Sequence, residues 1–260
     1  MSSKHNFLPK FLYKDGQIIN IKDVWFLSLA HDAYQFYFQV PLEKCVWGYG
    51  WRYTQAENPL YSVYNCEDNL DKFYQNYQPK SALEALTLEV NDGGWNSLSL
   101  PWRLTINPLH IPVTEPYRQT MSSQVGPVNP DKLELEKTRF QQVFTSIQTI
   151  DYLGQLGEQG HIRGYFMIHH DDFVFHITAG KHQAAAFLKL GYLSVPATFN
   201  IFVPRMPRLI SHQHLELLAG KGYATDMMTT VYQIFESYFD EVLRQRRISY
   251  LASWLGQSSG

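Results

Sequence analysis

Hydrophobic and polar positions follow their clearest pattern in the C-terminal half of the chain. Apolar runs at 163–169 and 173–178 flank the polar segment 170–172, which predicts the two strands of a β-hairpin. Directly after the second run, the segment KHQAAAFLKL at 181–190 is rich in helix-forming residues, and Gly191 is suited to end a helix. The chain is therefore expected to form a strand–turn–strand–helix unit here.

Two longer helices are predicted on either side of this unit. The sequence Asn-Pro-Asp at 129–131 is a good helix start, and the following apolar stripe is expected to end near Gly154 or Gly157. The β-branched and aromatic run at 195–203 predicts another strand. An amphipathic pattern from about 225 to 247 predicts one long C-terminal helix.

The N-terminal half is more aromatic and less regular. Loose alternation across residues 16–40 predicts short strands. Apolar spacing across residues 58–86 is helical, with an interruption at Pro79 and a second short helix capped by Ser81. Six prolines between residues 100 and 130 indicate an ordered but irregular segment.

The predicted fold class is therefore α+β. We expect a small mixed sheet with helices in a C-terminal domain at 129–260, and an aromatic-rich region of helices and strands at 1–128 packed against it. The chain has 260 residues, which is ample for a sizeable core.

Composition narrows the classes of function. The formal net charge is −2, and no basic domain is evident, so a nucleic-acid partner is not expected. Cys45 and Cys66 are too few for a disulfide framework. The sequence also shows neither the apolar core of a signal peptide nor an apolar stretch long enough to cross a bilayer. We expect a cytoplasmic protein without membrane insertion. The 17 Tyr, 16 Phe and 6 Trp side chains are expected to build the core.

The most informative motif is Gly180-Lys181-His182-Gln183, at the predicted start of the helix at 181–190. A helix start presents unpaired N–H groups and a partial positive charge, and glycine there permits close approach of a phosphate to the backbone. Lys181 and His182 would add donors in the first turn. Alternatively, the motif is only a capped helix start without a ligand.

This motif and its surroundings resemble the ParB/sulfiredoxin superfamily, in which a strand pair leads to G-x-H-R or G-x-R-R at a helix start. The likeness is closer to a subgroup of uncharacterised bacterial proteins associated with surface-polysaccharide biosynthesis. Further matches to that subgroup lie at Gly126-Pro127, Glu136, Arg139, Ser146-Ile147, Ile234-Phe235 and Tyr238-Phe239. The resemblance implies that Gly180, Lys181, His182 and Gln183 hold a nucleotide or sugar phosphate, with Lys181 and His182 as catalytic candidates.

Two residues depart from the superfamily pattern. Gln183 stands where an arginine is usual, and losing a charge-assisted hydrogen bond of roughly 1.5–3 kcal/mol would weaken phosphate binding about ten- to a hundredfold. Lys181 stands where sulfiredoxins carry their catalytic cysteine, which argues against cysteine-sulfinic reductase activity.

The resemblance leaves three alternatives for function. The first is a nucleotide-dependent phosphotransferase that uses ATP or CTP with Mg²⁺, for which Asp171, Asp172 or Glu158 are candidate ligands of the ion. The second is a non-catalytic binding or scaffold protein of the same pathway, which binds a nucleotide, a sugar or a partner protein through a degenerate site. A ParB-like DNA-binding regulator is the third, and the charge disfavours it.

Overall fold

A computed structural model of the chain describes its residues 10–11, 19–30, 33, 36–63, 68–89, 125–149, 162–200, 207–219 and 225–255. The strands are β1 (Lys10–Phe11), β2 (Phe36–Pro41), β3 (Cys45–Trp47), β4 (Trp51–Arg52), β5 (Ile162–His169), β6 (Asp172–Ala179), β7 (Ser194–Phe199) and β8 (Leu209–Ser211). The helices are α1 (Ile21–Ser28), α2 (Pro59–Val63), α3 (Asp68–Asn76), α4 (Ala82–Ala85), α5 (Pro130–Thr149), α6 (Lys181–Lys189), α7 (His212–Ala219), α8 (Thr225–Glu236) and α9 (Glu241–Leu255).

The described strands form a single mixed sheet in the order β1-β2-β7-β5-β6-β3-β4, with β8 paired to β5 beside that path. Neighbours run antiparallel in β2–β7, β5–β6 and β3–β4, and parallel in β1–β2, β3–β6, β5–β7 and β5–β8. The expectation of an α+β fold with a mixed sheet is confirmed.

The N-terminal half contributes strands to both edges of this sheet. β1 and β2 extend one edge, and β3 and β4 extend the other. These strands are only two to six residues long, so their stability depends on pairing with the longer strands at the centre of the sheet. The sheet therefore contains strands from both sides of the domain boundary predicted between residues 128 and 129.

The predicted hairpin is present. Register runs from Tyr165 opposite His176 to His169 opposite Asp172, with a two-residue turn at His170 and Asp171. His170 has φ of +53°, a left-handed conformation that suits such turns. Both strands are buried on both faces over most of their length. This explains why their sequences are continuous apolar runs and do not alternate between apolar and polar residues.

Three helix signals also hold. The Asn129 side chain accepts a hydrogen bond from the Lys132 N–H at 2.8 Å, and Ser81 accepts one from the Glu84 N–H at 3.1 Å. Gly191, with φ of +83°, follows α6 as predicted. The predicted end of α5 near residue 154 or 157 lies outside the described residues.

Two predicted elements were wrong. Residues 21–28 form α1 and not a strand; Asn20 caps it, and the buried Val24 and Leu27 lie one helical turn apart. A short apolar run such as VWFL does not by itself distinguish the two structures.

The single C-terminal helix predicted from about 225 to 247 is instead two helices, α8 and α9. The Asp240 carboxylate accepts a hydrogen bond from the Leu243 N–H at 3.0 Å, so it starts a new helix within the amphipathic pattern. The strand predicted over 195–203 ends at Phe199, and residues 201–206 lie outside the described part of the chain.

Aromatic rings fill the core, as the composition indicated. Phe38, Phe166 and Phe199 make edge-to-face contacts across the centre of the sheet at centroid distances of 5.1–5.8 Å. Trp51 and Tyr77 belong to a second group, beneath α9. Of the helices in the described ranges, none combines the length and the apolar character that crossing a bilayer requires.

Candidate functional site

The turn between β6 and α6 is built around Gly180. This residue has φ of +88° and precedes the first residue of α6. A Cβ at this position would lie 2.7 Å from Gln183 Oε1 and 2.9 Å from the backbone Cα of Ile162. Glycine is therefore required both by the backbone conformation and by the closeness of its neighbours.

Helix α6 is fixed tightly behind this turn. Ala184, Ala185 and Ala186 are fully buried where α6 packs against its neighbours α5 and α2. Small side chains allow this close approach. The Tyr53 hydroxyl donates to the Lys181 carbonyl at 3.2 Å, which ties the first turn to the segment after β4. The first residues of α6 thus have a defined position relative to α5.

Glu136 of α5 is the centre of the site. Its side chain is 1% exposed, and its Oε2 lies 2.9 Å from His182 Nε2 and 3.2 Å from Lys181 Nζ. Its other oxygen, Oε1, lies 3.1 Å from both Lys132 Nζ and Arg139 Nη1. We call these five residues the Glu136 cluster.

Burial and charge act in opposite directions on these groups. Burial alone would raise the pKa of Glu136, but the hydrogen bond from His182 and the charge of Lys181 outweigh it and hold this pKa well below its usual range. Burial lowers the pKa of His182 to about 4 and that of Lys181 to about 8. At neutral pH, Glu136 is ionised, His182 is neutral and Lys181 is mostly charged.

The tautomer of His182 follows from this geometry. A carboxylate only accepts hydrogen bonds, so the neutral imidazole donates its Nε2 proton to Glu136, and Nδ1 carries a lone pair. The Phe140 ring packs on the imidazole with its centroid 4.4 Å away. Lys181 Nζ lies 5.2 Å from the centroid of the Trp47 ring, which favours its charged form.

The Glu136 cluster has an excess of positive charge. Lys132, Arg139 and Lys181 supply three charges and Glu136 removes one, which leaves two at the start of α6. The Arg139 side chain is 49% exposed, so it can contact a ligand as well as Glu136. Chemically, such an arrangement suits an oxyanion such as a phosphate group.

Five residues singled out by sequence lie together in this cluster or beside it: Gly180, Lys181 and His182 at the start of α6, and Glu136 and Arg139 on α5. Gln183, the remaining predicted binding residue, is buried, with its Oε1 near Gly180.

The candidate Mg²⁺ ligands Asp171 and Asp172 do not belong to this site. They lie at the opposite end of β6 from Gly180, and eight residues of strand at about 3.3 Å each separate the two ends by roughly 26 Å. Asp172 is paired with Lys44 Nζ at 2.6 Å instead. Glu158 lies outside the described residues. Within the described ranges, no three His, Cys, Asp or Glu side chains are placed to hold a metal ion.

Sequence reasoning missed Lys132, Trp47 and Tyr53. Lys132 lies four residues before Glu136 on a predicted helix, a spacing that places two side chains on one face and was sufficient to find it. Trp47 and Tyr53 reach the site through the pairing of β3 with β6, which no local pattern indicates.

No protein-family model, curated protein or solved structure matches this chain. Function is therefore inferred from the geometry of the site itself.

Proposed function

We propose that the protein binds a phosphate-bearing small molecule, a nucleotide or a sugar phosphate, at the start of α6. The observation that supports this most is the excess of positive charge around Glu136, at a helix start that glycine keeps free of a Cβ. One cation is enough to balance the charge of a carboxylate, and Glu136 has three in addition to a histidine. The additional charge suits an external oxyanion.

In this proposal, Arg139 supplies the guanidinium group that the superfamily pattern places at position 183, where this chain has Gln183. In the ParB/sulfiredoxin pattern, a guanidinium follows the histidine on the same helix; here α5 brings one to the same carboxylate that His182 contacts. A guanidinium can bind two phosphate oxygens at once, which a lysine cannot. Lys132 and Lys181 then neutralise the remaining charge of the phosphate group.

If the protein is an enzyme, the proposal is that it is a phosphotransferase, with ATP or CTP as the phosphoryl donor and Mg²⁺ bound to the nucleotide. In this reaction, Nδ1 of His182 accepts the proton of the attacking hydroxyl, while the Nε2–H of His182 stays hydrogen-bonded to Glu136. Lys181 stabilises the transferred phosphoryl group. The assignment to surface-polysaccharide synthesis belongs to the proposal through the resemblance alone.

A second candidate is a non-catalytic binding protein of that pathway. One observation favours it: Glu136 Oε2 already contacts both Lys181 and His182, so the chain supplies its own anion where a phosphate would bind. In that case the cluster holds α5 against α6, and the ligand surface lies elsewhere.

Calorimetric titration with ATP and with CTP, each with Mg²⁺, tests the proposal. Arg139→Met should weaken binding about tenfold or more, because it removes a charge-assisted hydrogen bond of roughly 1.5–3 kcal/mol. Lys137→Met is the matched control, since Lys137 lies on the same helix but pairs with Asp71 and Glu134. Equal affinities in the wild type and in Arg139→Met, or no binding of either nucleotide, would contradict the proposal.

A further inference from the structure

A second group of buried polar side chains lies on the other side of the β3–β4 turn, against α9. It consists of two arginines, Arg52 and Arg247, and three tyrosines, Tyr77, Tyr165 and Tyr238, and we call it the Arg247 cluster. Each of these side chains is more than nine-tenths buried. The cluster takes no part in the phosphate site proposed above.

Contacts around Gly50 bring the cluster together. A Cβ on Gly50 would lie 3.4 Å from both Arg247 Nε and Tyr238 Cδ1. Arg52 Nη2 donates to the Tyr238 carbonyl at 3.2 Å. The Tyr165 ring stacks on the His176 ring with a centroid distance of 5.0 Å, and the Tyr238 ring makes an edge-to-face contact with His176 at 5.9 Å.

Several polar atoms of the cluster have no hydrogen-bond partner. Among the described residues, none bonds to Arg247 Nη1, Arg52 Nε, or the hydroxyls of Tyr165, Tyr238 and Tyr77. Buried polar groups are normally satisfied, so a concentration of unsatisfied donors calls for an explanation, and a bound acceptor would provide one. Arg247 Nη1 and Arg52 Nε can only donate hydrogen bonds, so a bound partner has to supply acceptors.

Among the described residues, no carboxylate forms an ion pair with Arg247. Burial lowers the pKa of Arg247 to about 10, so its guanidinium stays charged at neutral pH. The charge of Glu57 raises the pKa of Arg247, but the Glu57 carboxylate is hydrogen-bonded to Arg244 and Thr54. Asp240, which also acts on Arg247, caps α9. Water could satisfy the hydrogen bonds of the cluster, but it could not balance a buried charge.

We propose that the Arg247 cluster is a second binding site, for the oxyanion of a small molecule, a phosphate or a carboxylate group. The anion accepts hydrogen bonds from Arg247 Nη1 and Arg52 Nε, and the tyrosine hydroxyls complete its coordination. A metal ion is disfavoured, because two guanidinium groups repel cations. The site requires no residue of the Glu136 cluster.

Thermal unfolding in increasing inorganic phosphate tests this site, with acetate as a parallel series and chloride at equal ionic strength as the reference. Lys181→Met serves as the background in which the phosphate site at α6 is weakened. We expect a saturable rise of the unfolding midpoint with one of the two anions. The anion that gives it identifies the group bound, and a response to neither overturns the proposal.

Arg247→Met should remove this response or raise its half-saturating concentration at least tenfold. It should also raise the midpoint of the anion-free protein, because an unbalanced buried charge is replaced by an apolar side chain of similar length. Arg246→Met is the matched control: Arg246 is adjacent on α9 but exposed, and its variant should respond as the background does.

Tyr238→Phe keeps the proposal testable if Arg247→Met does not fold. It removes one donor and retains the ring, and should raise the half-saturating concentration severalfold. An anion response unchanged in Tyr238→Phe, and in Arg247→Met where it folds, overturns the second site. Because both are measured in the Lys181→Met background, this result is independent of the site at α6.

Discussion

The Glu136 cluster and the Arg247 cluster are both buried groups of basic side chains, but they differ in how positive charge is balanced. At the start of α6, the chain supplies a carboxylate that three cations and a histidine share. At α9, no carboxylate among the described residues pairs with Arg247, and its neighbours include Tyr238 and a second arginine. The positive charge of the first group is thus balanced in part by the chain itself, whereas that of Arg247 is not.

This difference changes what each buried charge does for the stability of the protein without a ligand. A paired buried ion contributes to stability mainly through the high cost of removing one partner. An unpaired one costs stability, and is expected only where a ligand recovers that cost. The two clusters should therefore respond in opposite directions when their central charge is removed.

Removing the carboxylate of the Glu136 cluster should have the largest effect. Glu136→Gln leaves three buried or half-buried cations without their anion, and should lower the free energy of unfolding by about 3–5 kcal/mol. Glu134→Gln on the exposed face of α5 should change it by less than about 0.5 kcal/mol. Urea unfolding at pH 7 measures both, and equal effects would mean that Glu136 is not the centre of the cluster.

The Gly180 turn gives the next largest effect. Gly180→Ala places a Cβ in a left-handed conformation and within 2.9 Å of the Ile162 backbone, which should cost about 2–4 kcal/mol. Gly191→Ala has φ of +83° but open space around the new atom, so it should cost only about 1–2 kcal/mol. Chemical denaturation of both variants isolates the cost of the close approach, and a smaller loss in Gly180→Ala would contradict the geometry at this turn.

Stability should rise with pH between about 4 and 6.5 because of His182. In this window, the unfolded chain binds a proton on the histidine, whereas the folded protein, with the pKa of His182 lowered by burial to about 4, does not. The slope from this residue is at most about 1.4 kcal/mol per pH unit. His182→Gln should reduce it, measured by denaturant unfolding at pH 5 and 6.

Arg247→Met provides the comparison for that experiment. Arg247 stays charged across this range, with its pKa near 10, so its variant should keep the wild-type slope. Burial also lowers the pKa of His176 to about 4, so part of the slope remains in His182→Gln. A slope that is unchanged in His182→Gln would show that this imidazole is not held neutral by burial.

The sequence predicted those parts of the fold that depend on residues close together in the chain. The hairpin of β5 and β6, the Asn129 and Ser81 caps and the Gly191 helix end all depend on neighbours within a few residues. The place of β2 and β3 at opposite sides of the sheet depends on pairing with strands more than a hundred residues away. Such pairing leaves no mark in periodicity.

The candidate site was predictable in part for the same reason. Gly180, Lys181 and His182 form one continuous motif, and Glu136 with Arg139 forms another, but only the packing of α5 on α6 brings the two into contact. The Arg247 cluster left no comparable signal, because its residues come from β4, α3, β5, α8–α9 and their connections. In the sequence, Arg247 is one of several basic residues near the end of a predicted helix, where a role in complementing the helix dipole is expected.

Binding of a nucleotide at the start of α6 is the central claim, and calorimetric titration of Lys181→Met beside the wild type, at low and at physiological salt, tests it most directly. The wild type should bind ATP or CTP with Mg²⁺, more weakly as salt increases, because exposed charges are screened. Lys181→Met, which keeps the length of the side chain but not its charge, should bind about tenfold more weakly. Absence of binding at low salt, or an affinity indifferent to both Lys181 and salt, would contradict the account.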